Sequence, residues 1–159
     1  MTQRLNYFQG SAQAMNTLVD TEKYITHCYK GKKTLQKDLI ELVKIRVSQI
    51  NGCAYCIDMH SKDARANQET EQRIYALSAW RETDFYSDQE RAALAWAEAN
   101  TLINEKGISD GLYETATKCF SPEQLVDLTL VITTINSWNR IALSFKPEPG
   151  SYSVGDFEL

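Results

Sequence analysis

Three side chains with thiol and imidazole chemistry stand close together in the stretch NGCAYCIDMH, residues 51–60. If this stretch is helical, Cys53, Cys56 and His60 fall at positions i, i+3 and i+7 and share one face of the helix. Cβ atoms three residues apart on a helix are about 5–6 Å from each other, whereas a disulfide needs about 3.8 Å. A small adjustment of the first helical turn would therefore join the two sulfurs, and the spacing predicts a redox-active thiol pair beside a histidine.

The reactive form of a cysteine is the thiolate, and two features of the stretch favour it. Cys53 falls in the first turn of the predicted helix, where unpaired N–H groups and the helix dipole stabilise negative charge. His60 falls one turn beyond Cys56 and can take the proton of that thiol. Redox thiol chemistry on a helical scaffold is the leading interpretation of these three residues.

Two other interpretations stay open on the residues alone. The cysteine spacing could be a coincidence within a helical core, or the residues could bind zinc. A structural zinc site needs four ligands, and Cys53, Cys56 and His60 supply three. The other candidate ligands, which contain no second ligand pair, are His27, Cys28, Glu41 and Cys119.

The elements that must position these residues are helices, because helix-start and helix-stop residues recur along the chain and strand patterns are almost absent. A capping box begins at Ser87, Ser121 caps the last helix, and Pro122 takes the first position of that helix. That helix is apolar on most sides, which predicts that it is the central buried one. The predicted helices cover residues 11–30, 34–50, 53–67, 70–80, 91–102, 109–120 and 121–143.

The pattern predicts one all-α domain of about seven helices spanning residues 1–159, with a redox core at about 34–80. Asn51-Gly52 is a turn signal between two helical patterns, so we expect an αα-hairpin with the CxxC at the start of its second helix. Asn51 could also cap that second helix. Pro147, Pro149 and Gly150 end the regular structure, and we expect the tail, residues 147–159, to pack on a partner subunit.

Glu41 is the fourth candidate site residue. It precedes Asn51 by ten residues and His60 follows Gly52 by eight, so the two side chains lie at similar depth in the predicted hairpin. A glutamate beside a histidine–thiol pair can fix the imidazole tautomer or relay protons. A solvated surface glutamate is the alternative at this point.

Bulk properties exclude several classes of partner. The formal net charge is −4 over 159 residues, and no basic block stands out, so nucleic acid is not an expected partner. The first 15 residues lack the apolar segment of a secretory signal, and the most apolar run, residues 125–135, is too short and too polar to cross a bilayer. We expect a cytoplasmic protein, in which a CxxC is more often catalytic or metal-binding than structural.

The stretch ELVKIRVSQINGCAYCIDMH, residues 41–60, resembles the alkylhydroperoxidase D-like (AhpD-like) core of the carboxymuconolactone decarboxylase superfamily. The family pattern is a glutamate twelve residues ahead of the first cysteine, followed by C-x-x-C-x-x-x-H, and Glu41 and Cys53 have that spacing. The segments SKDAR, YALSAWRET, ERAALAWAEA and INSWNRIA also resemble this branch, so that the resemblance covers the chain from about Arg4 to Leu143.

The resemblance implies the all-α fold of that superfamily, a homo-oligomer (trimer or hexamer), and thiol-dependent reduction of hydroperoxides in antioxidant defence. By the same resemblance Cys56 is the cysteine that peroxide attacks, Cys53 resolves it as a disulfide, His60 is the base and Glu41 belongs to the proton relay. No flavin or nucleotide motif is present, so we expect no cofactor beyond the Cys53–Cys56 disulfide. Electrons would then come from a separate thiol or lipoyl-type donor.

The non-enzymatic alternative is a helical oligomer in which the cysteine pair senses redox state or holds a metal, while its surface binds a protein partner. The chain also departs from the better-studied relatives, which carry a histidine just before the second cysteine. Here that residue is Tyr55, and a phenol cannot act as an imidazole base near neutral pH.

The resemblance assigns the attack to Cys56, whereas the helix dipole favours Cys53 as the more acidic thiol. The two assignments are compatible if an exposed Cys53 exchanges with the reductant while His60 activates Cys56. Among the remaining residues, Cys28 and Cys119 are expected to be core thiols. Arg46 interrupts an apolar helix face and needs a carboxylate partner. Asn139 and Arg140 either contact the site or only hold helix ends.

Overall fold

The computed structural model describes residues 3–157, without the side chain of Lys106, and this part of the chain contains helices and no strand. The α-helices are α1 (Tyr7–Gly10), α2 (Ala12–Lys30), α3 (Lys37–Asn51), α4 (Ala54–Ala66), α5 (Glu71–Ala76), α6 (Asp88–Thr101), α7 (Ile103–Lys106), α8 (Asp110–Cys119) and α9 (Pro122–Phe145), with a 3₁₀ helix at Leu77–Glu82 between α5 and α6. The predicted all-α fold is confirmed. Within residues 3–157, no helix is both long enough and apolar enough to cross a membrane.

The seven predicted helices correspond to the α-helices of six or more residues, and α1 and α7, at four residues each, are additional single turns. The predicted helix over residues 70–80 is interrupted. Its first part is α5, and the rest is the 3₁₀ helix, in which Ala79 leaves helical geometry at φ −118° and ψ 29°.

The predicted capping box at Ser87 and the predicted cap at Ser121 both form, and the cap at Ser121 is also a capping box. The hydroxyl of Ser87 accepts a hydrogen bond from the N–H of Glu90, whose carboxylate accepts one from the N–H of Ser87. Ser121 and Gln124 make the same pair of bonds at the start of α9, with Pro122 in the first turn. Each cap satisfies backbone N–H groups that the helix leaves unpaired, a contribution of about 1 kcal/mol.

The start of α3 differs from the prediction. Thr34 was expected to open this helix, but α3 begins at Lys37. The hydroxyl of Thr34 instead donates to Asp127 of α9 at 2.8 Å, and the backbone carbonyl of Thr34 accepts from Gln124. Contacts with α9 therefore hold residue 34 in the connection between α2 and α3, which local sequence patterns do not report.

The central helix is α3 and not α9, contrary to the prediction. Nine of the 15 residues of α3 are buried, against nine of the 24 residues of α9. α3 packs against α4, α6 and α9, whereas α9 leaves one side to solvent, with Val126 and Leu143 exposed. The helix that carries Glu41 is consequently enclosed on several sides.

Arg46 has the carboxylate partner that its place in the core required. Its guanidinium donates to Glu98 of α6 at 2.8 Å, and the same carboxylate accepts from Trp80 at 3.0 Å and Arg81 at 2.6 Å. Burial raises the pKa of Glu98, but these three donors outweigh it and hold the pKa below its usual range. The cluster joins α3, α6 and the 3₁₀ helix within one chain.

The tail beyond α9 packs on its own chain, and its predicted contact with a partner subunit stays a prediction. The N–H of Gly150 donates to Asp58 at 3.1 Å, and the ammonium of Lys62 donates to the carbonyl of Tyr152 at 2.8 Å. The Tyr152 hydroxyl donates to Asp63 at 2.7 Å. All three contacts are made to α4, the helix that begins just after Cys53.

Candidate functional site

The turn between α3 and α4 places the cysteine pair. Gly52 adopts the left-handed conformation (φ 70°, ψ 30°) that ends α3, and its N–H donates to the carbonyls of Gln49 and Ser48. The N–H of Cys53 also donates to the carbonyl of Ser48, at 3.0 Å. Glycine adopts positive φ without the Cβ strain of other residues. The Asn-Gly signal therefore marks an αα-hairpin, as predicted.

Cys53 and Cys56 are joined by a disulfide, with a Cα–Cα separation of 5.4 Å. Cys53 is the N-cap of α4, and its sulfur accepts from the N–H of Cys56 at 3.4 Å. This donor and the dipole of α4 stabilise a thiolate on Cys53 when the disulfide is reduced. The pair can thus exist as a disulfide in this backbone conformation, and Cys53 is the better leaving thiolate.

Both cysteines are buried, with exposed fractions of 1% for Cys53 and 2% for Cys56. The expectation that Cys53 is the exposed member is therefore wrong for the disulfide form. Cys53 and Cys56 belong to the main hydrophobic core, against which Tyr55 and Trp138 also pack. A reactant reaches the sulfurs only as a small molecule or a thin chain, or after local opening.

His60 and Glu41 meet in the interior between α4 and α3. Their Nδ1 and Oε2 atoms are 2.9 Å apart, and both side chains are buried. The sequence left open whether Glu41 is solvated, and the structure places it against His60. A carboxylate that accepts from Nδ1–H leaves Nε2 of the neutral imidazole with its lone pair, which is the tautomer a base requires.

The charge on Glu41 is stabilised despite burial. Burial raises the pKa of Glu41, but the hydrogen bond and charge of His60, together with the charges of Lys44 and Lys37, outweigh it and lower the pKa. Lys44 is itself buried and forms an ion pair with Glu22 at 2.7 Å. Glu41 is therefore a fixed negative charge at neutral pH, suited to holding and polarising the imidazole.

An amide network holds α9 against the hairpin turn. Asn51 donates to the side-chain oxygens of Asn136 and Asn139, each at 2.9 Å, and the amide of Asn139 donates to the Ser48 hydroxyl at 3.0 Å. Asn51 is thus the last residue of α3 and does not cap α4 as expected. Of the pair the sequence left undecided, Asn139 lies within this network, and the exposed Arg140 donates to the network's edge at Asn136.

Tyr55 is half-buried against the core beside the disulfide. Burial is the largest cause that raises the pKa of its phenol, with smaller contributions from the charges of Asp156 and Asp58. The hydroxyl consequently stays protonated at neutral pH, and Tyr55 cannot act as a base beside the disulfide.

Asp63 is a residue near the site that sequence reasoning missed. One carboxylate oxygen of Asp63, one of Glu41 and one ring nitrogen of His60 all lie within 4.8 Å of one another. The signal was present in the spacing, since Asp63 follows His60 by three residues and shares its helix face. Such a set could also hold a cation, but His60 is hydrogen-bonded to Glu41, and Asp63 accepts from Tyr152. Glu41, His60 and Asp63 therefore form an acid–base group in which Asp63 lies beside the hydrogen-bonded pair.

The zinc site considered from the sequence has a different set of ligands from Glu41, His60 and Asp63. It needed the sulfurs of Cys53 and Cys56 together with His60, and those sulfurs are bonded to each other. Cys28 and Cys119 are free thiols, the first buried and the second half-buried. Cys28 therefore has the core position expected of it, and Cys119 has it in part.

Comparison with known proteins identifies the class. The model of the carboxymuconolactone decarboxylase family matches residues 12–99, which include Glu41, Cys53, Cys56 and His60. The chain belongs to this family. Its fold and CxxC pair make it an AhpD-like member.

Individual relatives agree with this assignment. The chain is 49% identical over 144 residues to the uncharacterized protein YdfG of Bacillus subtilis, a match that covers 91% of this chain and 95% of YdfG. A structure from Agrobacterium tumefaciens, of unknown function and described as a candidate antioxidant defence protein AhpD, is 40% identical. It has a TM-score of 0.88 and covers 95% of this chain and 100% of its own.

The same fold occurs in a protein of different activity. The debrominase Bmp8, solved with 2,3,4-tribromopyrrole, has a TM-score of 0.78 at 19% identity, over 91% of this chain and 74% of Bmp8. At this identity the likeness concerns the fold alone. The reaction must therefore be argued from the site of this chain.

Proposed function

We propose that this protein is a thiol-dependent peroxidase that cycles Cys53 and Cys56 between dithiol and disulfide. The observation that carries the proposal is the Cys53–Cys56 disulfide at the start of α4, on the same helix as a histidine hydrogen-bonded to a buried carboxylate. Membership of the AhpD-like branch and the similarity to the Agrobacterium protein support it.

The oxidative half of the cycle uses both sulfurs. His60 takes the proton of the Cys56 thiol, and the thiolate attacks the terminal oxygen of the hydroperoxide. The O–O bond breaks, the alcohol leaves with the proton held on His60, and Cys56 becomes a sulfenic acid. The Cys53 thiolate then attacks the Cys56 sulfur, water leaves, and the disulfide forms. Two electrons pass from the two sulfurs to the peroxide.

The reductive half requires a separate dithiol. A donor thiolate attacks the Cys56 sulfur and releases Cys53, which the N–H of Cys56 stabilises as a thiolate. The second donor thiol then resolves the mixed disulfide, so the donor leaves oxidised and both cysteines are regenerated. Because the disulfide is buried, a thin lipoyl-type arm fits the access better than a broad protein surface. Assembly as a homo-oligomer is part of the proposal.

The first experiment counts thiols in the absence of any donor. Reduced protein, freed of reductant, receives about one equivalent of cumene hydroperoxide, and free thiols are measured over time. Wild type is expected to lose two of its four thiols, with mass mapping joining Cys53 to Cys56. Cys53→Ser should still consume peroxide, and Cys56→Ser should not. Cys28→Ser is the matched control, because it removes a buried thiol outside the pair and should again lose two.

Two results would contradict the proposal. One is oxidation of the wild-type thiols no faster than that of a free cysteine. The other is stoichiometric zinc with no titratable thiol in protein purified without chelator. Either result would favour the redox-sensing or metal-binding alternative.

A further inference from the structure

We propose that Asp63 is a second carboxylate of the acid–base group, which stabilises the thiolate–imidazolium form of Cys56 and His60, and that Tyr152 of the C-terminal tail holds it in place. The inference rests on the proposed thiol chemistry and adds two residues to it. Asp63 acts through His60 and is a positioning residue.

The geometry places two carboxylates of different character near His60. Glu41 comes from α3, is buried, and bonds Nδ1 of His60 directly at 2.9 Å. Asp63 comes from α4, is half-buried, and has an oxygen within 4.8 Å of both partners. One water molecule spans a distance of this size. The protonated imidazole of His60 therefore lies near two carboxylates, one from α3 and one from α4.

The tail fixes the position of Asp63. The Tyr152 hydroxyl donates to Asp63 at 2.7 Å, and Tyr152 is itself buried. Its backbone carbonyl is held by Lys62, and the neighbouring Gly150 N–H is held by Asp58. Lys62 and Asp58, which also form an ion pair with each other, thus hold the tail on α4 and place the phenol on the carboxylate.

The environments of the two carboxylates push their titrations apart. The pKa of Glu41 is lowered, whereas the pKa of Asp63 is raised, and burial is the largest cause. The hydrogen bond from Tyr152 is the next largest and lowers the pKa of Asp63; the charge of Glu41 raises it, and the charges of His60 and Lys37 lower it. Glu41 is therefore ionised throughout the working pH range. Asp63 ionises at a higher pH than an ordinary aspartate, and the site gains this second negative charge only as the pH rises through that range.

The test follows the thiolate of the reduced protein by its ultraviolet absorbance as a function of pH, in chelator-containing buffer so that no divalent cation replaces the proton. Asp63→Asn is expected to lower the equilibrium constant for forming the thiolate–imidazolium pair about tenfold near neutral pH, since a charge at this distance shifts such equilibria by about one pK unit or more. Asp63→Glu should restore part of it. Tyr152→Phe removes a hydrogen bond to the ionised Asp63 carboxylate. The Asp63-dependent rise in thiolate absorbance should therefore move to higher pH.

Asp20→Asn is the control. It removes one exposed carboxylate, on α2, whose partner is Lys23 and not the tail, so the titration should keep its wild-type form. An Asp63→Asn titration that superimposes on wild type refutes the inference and leaves the peroxidase proposal standing. A shifted titration in a protein that does not react with peroxide supports the inference and refutes the proposed function.

Discussion

Replacing Glu41 by glutamine isolates the charge of the carboxylate that holds His60. Glutamine has nearly the same size, and its carbonyl oxygen can still accept a hydrogen bond from Nδ1, so the packing between α3 and α4 is preserved. The substitution removes one negative charge 2.9 Å from the imidazole in a buried site. The protonated imidazole that pairs with the Cys56 thiolate then loses its strongest partner.

The size of the effect follows from the burial and the distance. A bond to a charged group contributes about 1.5–3 kcal/mol, against about 1 kcal/mol for a neutral one. An opposite charge in contact moves a protonation equilibrium by about one to three pK units. Lys44, which also lies near Glu41, weakens its field on His60. We therefore expect a loss of about 2.7 kcal/mol, or about 100-fold in the rate of peroxide-driven disulfide formation at pH 7.

The assay is a single-turnover measurement of thiol loss after mixing reduced protein with excess cumene hydroperoxide, across pH 6 to 8. Glu69→Gln is the control, because it neutralises a glutamate whose carboxylate pairs with Arg73 instead of His60. Its rate should equal that of wild type. If folded Glu41→Gln protein reacts within about threefold of wild type over this range, the assignment of Glu41 as the charge that supports His60 is refuted.

Thermodynamic linkage gives an independent check on Glu41. Since its folded-state pKa is below its usual value near 4.5, the ionised carboxylate stabilises the native state at neutral pH. This contribution is complete above the unfolded-state pKa and is lost as the pH falls through the lower folded-state value. The free energies of unfolding of wild type and Glu41→Gln should therefore converge in acid, as measured by urea denaturation between pH 7 and pH 3.

Three further substitutions test the turn, the amide network and the family departure. Gly52→Ala should destabilise the fold by about 1 kcal/mol in denaturant unfolding, since its φ is 70° and no steric contact adds to the strain; an unchanged midpoint contradicts this. Asn139→Ala should cost about 1–3 kcal/mol by leaving buried polar groups unpaired; combining it with Ser48→Ala should cost less than the sum of the two, and full additivity would disprove the coupling. Tyr55→His should accelerate peroxide-driven thiol loss at pH 7 by about tenfold or more if a base at this position joins the relay, and a rate equal to wild type assigns Tyr55 to packing.

Local patterns in the sequence were sufficient for much of the fold. The caps at Ser87 and Ser121 were predictable because a cap depends on side chains three residues apart. The αα-hairpin followed from Asn51-Gly52, since a left-handed glycine ends a helix wherever it occurs. The position of Thr34 could not be predicted in this way, because its partner Asp127 is 93 residues away.

For the site, the sequence by itself determined which residues share a helix face. Cys53, Cys56 and His60 are related by helical spacing, and Glu41 lies at equal depth in the hairpin, so the sequence predicts all four as candidate site residues, Glu41 with the help of the family resemblance. Whether Glu41 faces solvent or His60 depends on the rotation of α3 against α4, which only tertiary packing decides. The same packing buries both sulfurs and brings Tyr152 onto Asp63, 89 residues apart in the chain. Contacts of this kind arise from the burial of whole helices and tails, and no local periodicity encodes them.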